Sequence, residues 1–266
     1  MKGETVQRDS SSSPQRSAIA SLATAAILFL LLPLVFGASS FLLQTSAPPV
    51  VRIPSNIEWT SETMARASGG DAFHGMLLAR RCDHCHGAEG FSPAVSTPNL
   101  AGIDRPSIWK QLQDFRTQKR ISPVMQPIAS SLSERDVADV AAYYSMLPNF
   151  PDPQDNRSFP QSAPETAHVA LASRLVSTGD GERGIPPCQA CHGPVAYRTG
   201  APALSTQNSD YILRQLEKFA NNSRSNDINM PMRAIAGLLT EEEKHALAEY
   251  YGSGLGLLPA GATAPR

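Results

Sequence analysis

Cys82-Asp83-His84-Cys85-His86-Gly87 returns at an offset of 106 residues as Cys188-Gln189-Ala190-Cys191-His192-Gly193, and this pair of hexapeptides decides how the 266-residue sequence is read. They hold all four cysteines of the chain. Two thiols with two residues between them, followed at once by histidine, form the attachment pattern of a c-type haem. The thiols reach the two vinyl groups of one porphyrin, and the next residue falls beneath the iron. A zinc site would need four ligands close together, whereas these clusters lie far apart and each brings its own histidine. The expectation is two covalently bound haem c groups, one on Cys82, Cys85 and His86, the other on Cys188, Cys191 and His192.

Outward from these motifs the chain repeats. Pro98-x-Leu100 answers to Pro202-x-Leu204, and Gln111-Leu112-x-x-Phe115 with Arg120 answers to Gln215-Leu216-x-x-Phe219 with Arg224. Met125-x-x-Ile128-Ala129 answers to Met232-x-x-Ile235-Ala236, and Tyr143-Tyr144 to Tyr250-Tyr251. A glycine pair, Gly70 and Gly75, is matched to Gly179 and Gly184. Landmarks kept in order at nearly constant offset indicate a duplication. Each copy reads as helical: segments 105–117 and 208–220 are candidates, and Ser133 and Thr240 each open an acidic first turn. No run alternates as a strand, so the fold class is all-α.

Histidine–methionine ligation is usual in electron-carrying cytochromes c, because a soft thioether favours reduced iron. The first copy offers Met125. The second offers Met230 and Met232, and the register of the repeat favours Met232. A ligating histidine donates its other ring proton to a carbonyl, a role open to Pro98 and Pro202, which otherwise simply turn the chain. Arg120 and Arg224 fit either contact with haem propionates or ordinary solvation. The tyrosine pairs read as core, Met76 and Met146 as core filler, and His74, His84, His168 and His245 as surface residues.

The doubled CxxCHG, P-x-L, Q-L-x-x-F and M-x-x-I-A landmarks resemble the dihaem cytochromes c4, over residues 69–253. The run Gly184-Ile-Pro-Pro-Cys188 before the second motif resembles the C-terminal domain of that family. The resemblance implies two tandem class I cytochrome c domains, His–Met ligation in each, and electrons passed from one haem to the other toward a terminal oxidase. The redox partners implied are an upstream reductase or dehydrogenase and a downstream oxidase. An alternative is the haem-bearing electron-acceptor subunit of a periplasmic dehydrogenase. A haem enzyme would instead need an open iron position, which a methionine in each copy argues against. The first copy lacks the Asn226-Asp227 pair of the second and has a ligand loop three residues shorter, which speaks against equal haem potentials.

Near-neutral charge, formally −1, points away from nucleic acid. A polar tail, 1–16, precedes an uncharged segment, 17–43, long enough to be a membrane anchor or a cleaved export signal. Either places the rest of the chain in the periplasm. Residues 44–68 read as a stalk, 69–147 as the first domain, 148–164 as a Pro-rich linker, 165–253 as the second domain and 254–266 as a tail. A pyridine haemochrome assay combined with a haem-stained denaturing gel should give two haems per polypeptide; one or none would refute the reading.

Overall fold

In the computed structural model, residues 54–149, 166–193 and 198–255 are described. The tail, the 17–43 segment, nearly all of the Pro-rich linker and residues 256–266 lie outside them. The described residues are helical, and an isolated antiparallel bridge, Asp180–Ile185, is their only extended pairing. No helix among them is long and apolar enough to cross a membrane.

The first half contains α1 (Ser61–Ser68), α2 (Ala72–Ala79), α3 (Asp83–His86), α4 (Arg105–Arg116), α5 (Met125–Ser130) and α6 (Glu134–Met146). The second contains α7 (Thr166–Ser177), α8 (Gln189–His192), α9 (Ser209–Ala220), α10 (Pro231–Leu238) and α11 (Glu241–Gly252). The starts of α6 and α11 follow from local chemistry. Ser133 and Thr240 each accept the third backbone N–H, while Asp136 and Glu243 reach back to the cap, closing two capping boxes. Each half closes on its own apolar core. Trp109, Leu112, Phe115, Val137 and Tyr144 build the first; Leu175, Ile212, Phe219, Leu247 and Tyr251 build the second. Tyr144 and Tyr251 are buried as expected, with Tyr143 and Tyr250 half-buried beside them.

Several expectations are corrected. Gly70 and Gly75 flank the start of α2, whereas Gly179 and Gly184 lie in a turn after α7, so the glycine landmark joins unlike elements. A Cβ on Gly75 would stand 1.9 Å from the Asp139 carbonyl oxygen, and one on Gly70 2.0 Å from that of Ala138. These glycines let α2 and α6 touch backbone to backbone. Gly179 and Gly184 instead adopt left-handed φ values of 76° and 74°. Met76 and Met146 are exposed, not core filler, at 38% and 67%. His74 is exposed as expected, and its ring also lies 2.7 Å from the buried carboxylate of Asp139. His168 likewise bonds Glu249, while His84 and His245 are exposed.

Residues 54–68, the described part of the segment read as a stalk, pack onto the folded unit. Ala67 of α1 is fully buried in the first core. Ser55 is buried and donates to Asp114 at 2.7 Å. Trp59 tilts against Trp109 of the first half at 6.2 Å, and its indole covers Gly200 of the second.

Gly75→Ala should destabilise the protein by about 1–3 kcal/mol, because backbone must move to admit the methyl group. Gly181→Ala, where nothing lies within 4 Å, should change stability by less than ~0.5 kcal/mol. Denaturant melts of the two variants test the contrast.

Candidate haem sites and the interface between them

Each cysteine motif folds as one helical turn. In α3 the Cys82 carbonyl accepts from Cys85 N at 3.1 Å and His86 N at 2.9 Å; in α8 Cys188 accepts from Cys191 N at 3.2 Å and His192 N at 2.9 Å. A turn of this kind brings residues i, i+3 and i+4 to one side, so both thiols and the imidazole share a face. His86 Nδ1 lies 2.8 Å from the Pro98 carbonyl oxygen, and His192 Nδ1 lies 2.8 Å from that of Pro202. A carbonyl can only accept, so Nδ1 carries the proton and Nε2 keeps its lone pair free for a metal. Burial lowers the pKa of both imidazoles, against the opposing pull of the proline carbonyls, which further favours the neutral, ligating form.

No disulfide joins the four cysteines. Burial raises the Cys82 thiol and pushes Cys188 up to about 11. A catalytic C-x-x-C pair needs the opposite shift, toward thiolate. Cys82 and Cys188 therefore lack the thiolate character that disulfide exchange requires.

Met125 begins α5 and packs against the first core; its backbone N–H is held by Ser122 Oγ at 3.1 Å. Met232, the second residue of α10, packs against the second core. Met230 is 55% exposed and caps α10 from a left-handed conformation, φ 63°. The donor set in each half is thus two thiols, an imidazole with a free Nε2 and a methionine on the core, which fits haem c with His–Met ligation.

The two halves meet through the residues that carry the repeat. Arg120 donates to Gln111 at 2.7 Å and across the interface to Gln215 at 3.1 Å. Arg224 donates to Gln215 at 2.9 Å and back across to Gln111 at 3.2 Å. The four side chains form a closed, two-fold ring. Each guanidinium also lies over the phenylalanine of its own repeat, 4.7 Å from Phe115 and 4.4 Å from Phe219. Burial, and next the charge of Arg120, push Arg224 down to about 9. Neither arginine is merely solvated.

Around the ring the match is less symmetric. Lys110 and Asp114 form a buried ion pair, and Lys110 also donates to the Asn226 carbonyl at 2.7 Å. Asn226 Nδ2 donates to Asp114 at 2.7 Å. Elsewhere Asn99 and Gln207 exchange hydrogen bonds of 2.7 and 2.9 Å through backbone and side-chain amides. Gln111, Gln215, Phe115 and Phe219 stood out in the sequence as repeat landmarks, but repetition alone did not say that they face each other. Ser55, Trp59 and Lys110 carried no sequence signal of an interface.

Residues 75–143 match the family model described as cytochrome c oxidase, cbb3-type, subunit III. Cytochrome c4 of Thiocapsa roseopersicina is 37% identical over 64% of this chain and 84% of its own length. The chain belongs to the dihaem cytochrome c4 family. The thiosulfate dehydrogenase electron acceptor of Stutzerimonas stutzeri is 39% identical over 66% of this chain and 79% of its own. Reduced cytochrome c4 from Pseudomonas stutzeri superimposes with a TM-score of 0.61 at 30% identity, covering 69% of this chain and 98% of that one. A thiosulfate dehydrogenase of Marichromatium purpuratum superimposes at 0.57 and 34% identity, over 68% of this chain and 39% of that one. The protein is a dihaem electron carrier of tandem class I cytochrome c architecture with covalently bound haem c.

The ring predicts energetic coupling across the halves. In a double-mutant cycle of Arg224→Ala with Gln111→Ala, the coupling should lie between about 0.5 and 3 kcal/mol. Additive effects in denaturant melts would mean that the ring does not hold the halves together.

Proposed function

We propose that this protein accepts electrons one at a time on the periplasmic side of the membrane and delivers them toward a terminal oxidase. Cys82, Cys85, His86 and Met125 would hold one haem, and Cys188, Cys191, His192 and Met232 the other. Pro98 and Pro202 would orient the two histidines. When bound, each haem supplies one-electron exchange at its iron, and the protein fixes the ligands around it. The observation that carries this reading is the pairing of two alike donor sets, each with a freed Nε2 and a core-packed methionine. His–Met ligation at both sites would leave no iron position open to substrate, which suits a carrier rather than a catalyst.

Holding both donor sets in one unit favours passage between haems over independent shuttling. The Arg120–Gln111–Arg224–Gln215 ring and the Trp59 contact limit relative movement of the halves. Two guanidinium groups at that interface would also favour anionic propionates nearby.

A second reading has a specific support. The relative from Stutzerimonas stutzeri, at 39% identity, is an electron acceptor of thiosulfate dehydrogenase. In that reading the same two haems would receive electrons from a dehydrogenase oxidising thiosulfate. The two readings differ in the donor and are compatible in the acceptor.

Reduced full-length protein, mixed with oxidase-containing membranes and oxygen, should be reoxidised at both haems. Thiosulfate with thiosulfate dehydrogenase should reduce it if the second reading holds. Reduction without reoxidation would leave the second reading alone, and neither reaction would overturn both.

A further inference from the structure

The methionine loops of the two halves are built differently. In the second half Asn229 and Met230 both take left-handed backbone conformations, φ 62° and 63°, immediately before Pro231 and Met232. Two successive non-glycine residues in that region are costly and persist only where neighbouring contacts hold them. The contacts that do so converge on Asp227. One carboxylate oxygen accepts the backbone N–H of Arg233 at 3.0 Å, and the other accepts Arg233 Nε at 2.7 Å. Met230 N–H turns back to the Asp227 carbonyl at 3.4 Å. Asp227 is buried and Arg233 half-buried, with side-chain exposures of 4% and 14%.

The first half has none of this. Its loop is three residues shorter, Val124 before Met125 is right-handed with φ −84°, and Gln126 stands where Arg233 follows Met232. There a single hydroxyl, Ser122 Oγ, holds the methionine backbone.

We infer that Asp227 and Arg233 are positioning residues: their clasp closes the strained Asn229–Met230 turn and so fixes where Met232 stands relative to His192. The inference rests on the reading of Met232 as the second iron ligand. The two bonds from Asp227 reach the residue next to Met232, one through its backbone and one through its side chain. They therefore fix both the start of α10 and its rotation about its axis. Met230, which occupies the left-handed cap, is turned outward by the same geometry. The clasp thus selects between the two methionines of Met230-Pro231-Met232, a choice the first half never faces. Loss of the clasp lets the turn relax toward ordinary backbone angles, withdrawing the Met232 thioether while leaving the His192 side of the site as it is.

The test uses the full-length, haem-loaded protein and the weak absorption band near the red end of the oxidised spectrum that reports iron–thioether bonding. Asp227→Ala with Arg233→Leu removes the clasp without changing net charge, so a change in potential reads ligation rather than lost charge. We expect at least a two-fold loss of the second haem's share of the band and a lower potential for that haem. Faster amide exchange over residues 227–233 and an unaltered first haem should accompany it. Met230→Gly, which accepts the left-handed turn, should keep the band whole.

Met232→Ala separates the two ideas. If it leaves the band intact, the ligand reading fails. If it removes half the band while the clasp variant keeps the band, the potential and the exchange rates, the positioning role is overturned. Equal loss at both haems in the clasp variant would mean general destabilisation and would overturn it too.

Discussion

Two guanidinium groups, Arg120 and Arg224, are brought together where the halves meet, and the rest of the unit is arranged so that this is tolerable. Burying like charges is unfavourable unless each finds acceptors and neighbouring negative charge. Each arginine here is shared between two glutamines, one from its own half and one from the other, and each covers a phenylalanine ring. Tyr211 accepts from Arg120 at 2.8 Å, and Asp114 and Asp227 supply nearby negative charge to Arg224. Because Gln111, Gln215 and Tyr211 all accept across the interface, sliding one half would leave these donors unmatched. A polar interface of this kind specifies one relative placement better than an apolar one of equal area, since apolar contacts have no direction.

That placement matters to a dihaem electron-transfer protein, because it fixes one donor set relative to the other. The N-terminal residues of the folded unit reinforce it. Ser55 extends the Lys110–Asp114–Asn226 network, and Trp59 rests on Trp109 of one half and Gly200 of the other. Gly200 has φ 80° and no side chain, which is what lets the indole lie against it. It stands two residues before Pro202, whose carbonyl orients His192. The strap formed by 54–60 therefore touches the interface network and the loop behind His192.

Much of the fold was legible in the sequence because its signals are local. The capping residues Ser133 and Thr240 need only their own first turn, and the one-turn geometry of each cysteine motif is contained in five residues. The hydrogen bonds of His86 and His192 were also within reach, since Pro98 and Pro202 recur at equivalent places. What could not be read depended on contacts distant in sequence. Ser55 bonds a side chain 59 positions away, and Lys110 a carbonyl 116 away. The exposure of Met76 and Met146 was missed for a similar reason: residue type suggests burial, but only the packed helices decide which face a side chain takes.

The glycine landmark fails for a more instructive reason. Gly70 and Gly75 are required because α2 and α6 approach to backbone contact, whereas Gly179 and Gly184 are required by left-handed turns. Identical spacing in the two halves has two unrelated physical causes. The same divergence appears where the first half joins α2 to α6 through His74 and Asp139, and the second ties its turn to α11 through Arg183 and Glu243. One link contains a histidine and the other an arginine. The repeat thus keeps the cysteine turn, the proline carbonyl bonded to the histidine and the core-packed methionine alike in both halves. The surrounding supports were free to change, because any contact that holds those three in place serves equally well.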